Sequence, residues 1–282
     1  MQIFLLSVLF LMTLYMLIYI SNNIIKIKKY KINNMKIPTE FNGYKILHIS
    51  DVHSKIYGED NEILLKKVSE INPDCIMMTG DIIDKREKDI EGFVKMYHKL
   101  YSKFPTYYAI GNHERQLGYE NYRRYIELLK SENVKVMRNG STKIEKNGEK
   151  LNLFSLKFRG NMQPKYLTIA KREEFVKYMK EKLGEINKKE YNILLSHDPE
   201  NFEMYEELKI DLVLSGHLHG GLIRPFGITV FSPRRKFFPK YAYGRKKLND
   251  TEIIISAGLG KASIPIRLFN RPELVEITLN RK

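Results

Sequence analysis

Five of the seven histidines in this chain fall inside short blocks that also carry carboxylate or amide groups. In order, the blocks are Asp51-Val52-His53, Gly80-Asp81, Gly111-Asn112-His113-Glu114, Ser196-His197-Asp198 and Gly216-His217-Leu218-His219-Gly220. Imidazoles, carboxylates and amides are the donors that hard to borderline divalent cations accept, whereas a thiolate cluster needs several cysteines. The chain has one cysteine, Cys75, in the apolar run Cys75-Ile76-Met77-Met78, where it reads as a buried structural thiol. That count also excludes an intrachain disulfide. Two cations held by such a set would suit hydrolysis of a phosphate ester.

The spacing supports convergence. Asp51 and His53, two apart at a predicted strand end, can reach one cation. Asp81 offers two oxygens and is the natural bridge between ions about 3.5–4 Å apart. Asn112 adds a neutral carbonyl oxygen. His197 and His217 can serve a second ion, and His219 can complete the first. Any one block alone is an ordinary turn or a structural histidine, but five in this order at strand ends are not expected by chance. Mn²⁺, Fe and Zn²⁺ all accept this mixed nitrogen and oxygen set.

Each block needs an element to hold it, and each follows an apolar run. Residues 44–50 read as a strand ending at Asp51, and 75–78 as a buried strand ending near Asp81. Residues 105–110 read as a strand into Asn112, 192–195 as one into His197 and 211–214 as one into His217. Helical spacing of apolar residues marks 61–71, 90–101, 120–130 and 171–183. This alternation predicts βαβ units around a buried sheet, with ligand groups at the carboxyl ends of its strands. Beyond Val134 the pattern changes. Gly140 and Gly148 separate alternating runs such as 150–158, which predict antiparallel strands, and 228–231, 252–256 and 274–279 are also strand-like. Gly80, Gly111 and Gly216 are expected to let the backbone turn sharply beside the ions.

The first segment is of another kind. Residues 3–20, IFLLSVLFLMTLYMLIYI, carry no charge and have about the length needed to cross a bilayer as a helix. No Lys or Arg precedes the run and no small-x-small cleavage pattern follows it, so an uncleaved anchor is expected. Lys26, Lys28, Lys29, Lys31 and Lys36 come next. Positive-inside reasoning places the catalytic domain on the cytoplasmic side, and these lysines could rest on anionic headgroups. The expected organisation is an anchor at 1–24, a basic juxtamembrane linker at 25–43 and one catalytic domain at 44–282.

The ordered set Asp51-x-His53, Gly80-Asp81, Gly111-Asn112-His113-Glu114, His197 and Gly216-His217-x-His219 resembles the calcineurin-like metallophosphoesterase superfamily. The resemblance spans about residues 44–279. It implies a four-layer α/β-β/α sandwich and a dimetal centre. One ion would take Asp51, His53, Asp81 and His219, and the other Asp81, Asn112, His197 and His217. His113 would stand outside the metals and protonate the leaving oxygen, with Asp84 or Glu114 holding its other nitrogen. A narrower resemblance rests on the anchor, Gly216-His217-Leu218-His219-Gly220-Gly221, Pro239-Lys240-Tyr241 and Gly258-Leu259-Gly260. It continues through Pro265-Ile266-Arg267 and Arg271-Pro272-Glu273-Leu274. These are similar to membrane-associated bacterial phosphodiesterases that include UDP-2,3-diacylglucosamine hydrolases. Leu218 and Leu222 stand where that branch usually has polar residues.

The formal net charge of +15 favours anionic partners: a phosphorylated small molecule, a lipid substrate or membrane lipids. The clusters Arg234-Arg235-Lys236 and Arg245-Lys246-Lys247 read mainly as solvated faces, with a phosphate or headgroup clamp as their other use. No aromatic-basic stretch suited to stacking single strands is present, so nucleic acid is not expected. A nuclease or cyclic-nucleotide phosphodiesterase, and a metal-bound scaffold without turnover, are the alternative readings.

Overall fold

The computed structural model describes residues 1–158, 168–233, 236–261 and 267–282. Strands β1 (Lys26–Asn33), β2 (Lys45–Ile49), β3 (Cys75–Thr79), β4 (Thr106–Ala109), β5 (Lys135–Met137) and β12 (Glu273–Asn280) form one sheet, in the order β1-β12-β2-β3-β4-β5. Strands β6 (Gly140–Lys146), β7 (Glu149–Leu156), β8 (Asn192–Ser196), β9 (Leu212–Ser215), β10 (Gly244–Leu248) and β11 (Thr251–Ile255) form a second, in the order β10-β11-β9-β8-β7-β6. The helices are α1 (Gln2–Asn23), α2 (Glu62–Ile71), α3 (Ile90–Met96), α4 (His98–Tyr101), α5 (Asn112–Arg115), α6 (Tyr119–Ser131), α7 (Ile169–Leu183) and α8 (Phe202–Glu207).

Strand alternation explains the layering. In β2, Ile46 points between the sheets while Leu47 and Ile49 point to the helices. Between the sheets, Ile46, Met77 and Ile277 of the first meet Leu153, Ile193 and Leu214 of the second. Outside the first sheet, Leu64, Phe93 and Ile126 of α2, α3 and α6 cover Leu47, Ile76 and Met78. Outside the second, Phe175, Met179 and Phe202 of α7 and α8 cover Phe154, Leu194 and Val213. The result is the expected four-layer α/β-β/α sandwich.

The pairing aims the ligand loops. Strands β2, β3 and β4 are mutually parallel, as are β7, β8, β9 and β11. Every block found in the sequence therefore leaves the carboxyl end of a parallel strand, and both sets of ends share one edge of the sandwich. The hairpin β6–β7 turns at Asn147-Gly148, both with positive φ (47° and 86°), the chemistry of a tight two-residue turn.

Several expectations change. Residues 25–43 are not a linker: β1 lies parallel to β12 from Lys26↔Glu273 to Asn33↔Asn280. The lysine-rich run hides a period-two pattern, with Ile25 and Ile27 facing the helices and Tyr30 and Ile32 facing between the sheets. Three of its lysines are paired within the domain: Lys26 with Glu273 (3.0 Å), Lys29 with Glu276 (2.9 Å) and Lys36 with Asp211 (2.8 Å). The helix expected at 90–101 breaks at Tyr97, where the chain tightens through Tyr97 N–H to Val94 O (3.0 Å) and Leu100 N–H to Tyr97 O (2.9 Å). Strand β7, from the run at 150–158, is antiparallel to β6 but parallel to β8. Residues 228–231 join neither sheet and make only isolated bridges, Phe231 pairing with Ile223 and with Phe237.

Candidate metal centre

Residues Asp51, His53, Asp81, His217 and His219 all have positive φ, between 49° and 72°. Non-glycine residues in this region are uncommon and strained, and the surrounding structure must hold them there. The holding groups are backbone amides and buried hydroxyls. Asp51 accepts His217 N–H through both oxygens (3.0 Å each) and Ser50 Oγ–H at 2.6 Å. Asp81 accepts His113 N–H at 2.8 Å. The amides of His217 and His113 thereby tie their blocks to the carboxylates of Asp51 and Asp81.

Only Gly80 uses the left-handed backbone expected of the glycines, at φ +83°. Gly216 serves close approach instead. A Cβ there would lie 2.0 Å from Ser50 Oγ and 2.1 Å from Asp51 Oδ2, so the β9 loop could not reach Asp51 with any side chain at this position.

Among the described residues, candidate ligand atoms gather into three groups, Asp51-His53-His219, Asp81-His197-His217 and His53-Asp84-His113, and within each, one atom per residue lies within 4.8 Å of the others. The first two hold the residues expected to bind the ions. In the first, His219 Nε2 is 3.1 Å from His53 Nε2 and 3.5 Å from Asp51 Oδ1. In the second, His197 Nε2 is 3.2 Å from Asp81 Oδ2 and 3.1 Å from His217 Nδ1. Asp81 Oδ2 is also 3.9 Å from His53 Nε2, so it faces both groups.

Burial disfavours a charged His197, but the Asp81 and Asp51 carboxylates and the Thr79 carbonyl (2.5 Å from Nδ1) more than offset this and lift its pKa to about 10. Burial alone would raise Asp81 as well, yet the neighbouring imidazoles bring it well below the usual carboxylate range. This interior field favours positive charge. Burial lowers His53 to about 4 and pushes His219 well below its ordinary value, keeping both imidazoles neutral, the form that ligates.

The donor set fits divalent cations. The carbonyl Oδ1 of Asn112 is buried and has no hydrogen-bond partner among the described residues. A buried acceptor left so costs about 1–3 kcal/mol, and a cation would satisfy it. Four imidazoles, two carboxylates and this amide oxygen suit borderline to hard ions.

His113 lies beside these groups. Its Nδ1 is 3.3 Å from His53 Nδ1 and 3.5 Å from Asp84 Oδ2, and Lys85 N–H points to it at 3.3 Å. Asp84 is in turn held by Arg86 (2.9 Å). Glu114 plays a different part from the one expected. It is fully buried and accepts backbone N–H bonds from Gly111 (2.9 Å), Asp81 (3.0 Å) and Ile82 (2.8 Å), with Tyr108 O–H at 2.5 Å. Glu114 therefore ties the β3 and β4 loops together instead of touching His113.

The sequence blocks did not single out three supporting groups. His48, inside β2, meets Thr79 Oγ1 at 2.7 Å, and Thr79 donates to Ser50 (2.9 Å), which holds Asp51. Arg267 is buried, with Nη2 3.3 Å from His219 Nδ1 and bonds from Nε (3.1 Å) and Nη2 (2.6 Å) to Gly260 O. Asn270 donates to His219 O at 2.7 Å. Ser50, adjoining Asp51, carries a local signal; Arg267 enters the sequence reading only through the motif Pro265-Ile266-Arg267, with no role at His219, and Asn270, about fifty residues from His219, carries none. Of the basic clusters, Arg234 and Arg235 lie outside the described residues, as do Pro265 and Ile266. Arg245 is clamped by Glu252 (2.5 and 2.9 Å) on the edge strand β10.

Paired Asp/His clusters at the carboxyl ends of two facing sheets define a metallohydrolase-type site. The family model for calcineurin-like phosphoesterases matches residues 44–221, and the chain belongs to that family. It is a metal-dependent phosphoric ester hydrolase. An uncharacterised metallophosphoesterase of Campylobacter jejuni is 30 % identical over 275 residues, 94 % of this chain and 67 % of its own. One from Bacillus subtilis is 28 % identical over 267 residues, 93 % of this chain and 87 % of its own. A Danio rerio transmembrane protein with a metallophosphoesterase domain is 24 % identical over 250 residues, 87 % of this chain and 55 % of its own.

Proposed function

We propose that this chain is a membrane-anchored hydrolase of a phosphodiester or pyrophosphate bond, using two divalent cations, in a lipid-linked or nucleotide-sugar substrate. The observation that carries the reading is the pair of ligand clusters, Asp51-His53-His219 and Asp81-His197-His217, with Asp81 facing both and the Asn112 carbonyl unsatisfied. Asp51, His53, Asp81 and His219 would hold one ion; Asp81, Asn112, His197 and His217 would hold the other. When bound, such cations supply Lewis-acid polarisation of the phosphoryl group and acidify water.

The chain's own residues do the rest. The buried Ser50 hydroxyl and the His217 amide fix the Asp51 oxygens, and Glu114 keeps the Asp81 and Asn112 loops in register. His113 gives a proton to the leaving oxygen from the ring nitrogen opposite Asp84, and Asp84 steadies the charged ring.

Anchoring is supported by α1, which is long and apolar enough to cross a membrane and buries only Ser21 and Asn22. The lysines that follow α1 favour the cytoplasmic side for the domain.

The test is a screen of purified full-length protein against lipid-linked pyrophosphates, nucleotide sugars and bis-p-nitrophenyl phosphate, with metal content measured on the same sample. Turnover with about two ions per chain is expected. A protein with both ions and no turnover on any diester or pyrophosphate would sink the reading.

A further inference from the structure

The chain just past His219 builds a small ladder outside both sheets. Leu222 N–H donates to Phe231 O (2.7 Å), Val230 N–H to Ile223 O (3.0 Å) and Phe238 N–H to Val230 O (3.0 Å). On its other side Leu268 N–H donates to Leu222 O (2.8 Å) and Arg224 N–H to Leu268 O (3.0 Å). The ladder thus runs from Leu268 through residues 222–224 and 230–232 to 236–238.

This ladder is tied at once to the metal site and to α1. Arg267 reaches His219 Nδ1, and Asn270 holds His219 O. Between them, Phe269 N–H donates to Ser21 Oγ (3.0 Å), and Asn22 Nδ2 donates to Arg267 O (3.2 Å). Lys55, two residues past His53, donates to Asn22 O at the same helix end. Above Ser21, α1 fully buries no side chain and keeps only Leu14, Leu17, Ile18 and Ile20 half-buried, so it leaves the domain over these turns.

Among the described residues, the side chains the ladder exposes most are apolar. Among the described residues beyond α1, twelve large hydrophobic side chains are exposed. Six of them belong here: Ile223, Phe226, Ile228, Phe237, Phe238 and Phe269. Phe226 is fully exposed and sits at φ +52° between Pro225 and Gly227, a conformation that costs a phenylalanine energy. Such a concentration of exposed aromatic surface marks a binding face. The bilayer is the occupant that fits, because the face adjoins the point where a membrane-length helix departs.

We propose that this ladder is a lip that enters the headgroup–acyl boundary of the bilayer crossed by α1, so that the metal-ligand loops open onto the membrane surface and accept a phosphate carried by a lipid. The proposal rests on the reading of α1 as an anchor and of the site as a phosphoesterase.

The chain has no tryptophan, so a single one reports its own surroundings. Full-length Phe226→Trp, Phe237→Trp and Met35→Trp proteins would be placed in nanodiscs with and without lipids brominated on the acyl chain. Met35 is the reference: it is exposed and follows the far end of β1, roughly 25 Å along the strand from the helix. Brominated lipid should quench the tryptophans at 226 and 237 and shield them from acrylamide, while the one at 35 shows the reverse. Acrylamide quenching at 226 and 237 equal to that at 35 would overturn the lip. Shielding without lipid quenching would point to a protein partner or second copy and overturn it equally.

A second arm compares phosphatidyl-p-nitrophenol in the nanodisc with soluble bis-p-nitrophenyl phosphate. The double variant Phe226→Asp, Phe237→Asp should lose about 10-fold or more on the lipid and keep its rate on the soluble diester, as interfacial contact by apolar side chains requires. Equal effects on both would overturn the route to a lipid substrate. If wild type turned over neither substrate, the phosphoesterase reading would fail while the quenching still decided the lip.

Discussion

The Nδ1 atom of His113 lies 3.5 Å from Oδ2 of Asp84, while Glu114, the next residue, turns into the interior and touches neither. His113 and its neighbour in sequence thus divide the work: one faces the reaction, the other ties two loops. His113→Ala should keep both cations and lose about 10²–10⁴-fold in kcat, the usual scale for a missing general acid. The loss should be smaller on a nitrophenyl ester, whose leaving group departs without a proton, than on an alkyl diester. Asp84→Asn should show the same leaving-group pattern in milder form. Equal losses on both esters, or a lost metal, would remove His113 from this role.

Asp81 faces both ligand clusters, so Asp81→Asn should abolish turnover and lower bound metal. Asn112→Ala should lower metal content less, because it removes one neutral oxygen. Treatment with a chelator should abolish activity, and added Mn²⁺ should restore it. Metal analysis of the two variants beside wild type separates these outcomes.

Glu114 accepts three backbone N–H groups and a tyrosine hydroxyl inside the fold. Glu114→Ala would leave those donors unpaired, at about 1–3 kcal/mol for each such group before the site relaxes. The melting temperature should fall clearly, and Glu114→Gln should recover part of it. A Glu114→Ala protein as stable as wild type, yet inactive, would instead place Glu114 in the chemistry.

His48 is fully buried and its pKa is lowered by that burial to about 3. Its unfolded value is near 6.5, so between these values the unfolded chain binds more protons. The stabilisation is therefore complete above about pH 6.5 and drains away as pH falls toward 3. From pH 7 to pH 5 this one group should cost about 2 kcal/mol. Denaturant titrations of wild type and His48→Gln at both pH values check it: the variant should lack this part of the slope.

Removing residues 1–24 deletes no candidate ligand but takes away the Ser21 and Asn22 bonds to Phe269 and Arg267. The truncated protein should be soluble, bind both cations and hydrolyse a small soluble diester. Its melting temperature should drop modestly. Loss of the metals in a folded truncation would show that the helix end belongs to the site.

The ligand blocks were legible in the sequence because each is local: an apolar run makes a buried strand, and the loop at its carboxyl end carries the polar groups. The same locality exposed α2, α6 and α7 through their apolar spacing, and α1 through its unbroken apolar length. Residues 26–33 look like a linker because lysines mask their alternation, and only pairing with β12, about 250 residues away, makes them a strand. The roles of Arg267 and Asn270 at His219 were invisible for a like reason, since no spacing rule links residues so distant. Asp84 and Glu114 were equal candidates beside His113 in sequence. The tertiary structure separated them, because the first turn of α5 sends Glu114 inward to three unpaired amides and leaves Asp84, on the neighbouring loop, facing the imidazole. Residue types and short-range periodicity specified the chemistry and most elements; which side chain faces the reacting group was decided by long-range packing, where burial and hydrogen-bond satisfaction choose among residues that look alike in the chain.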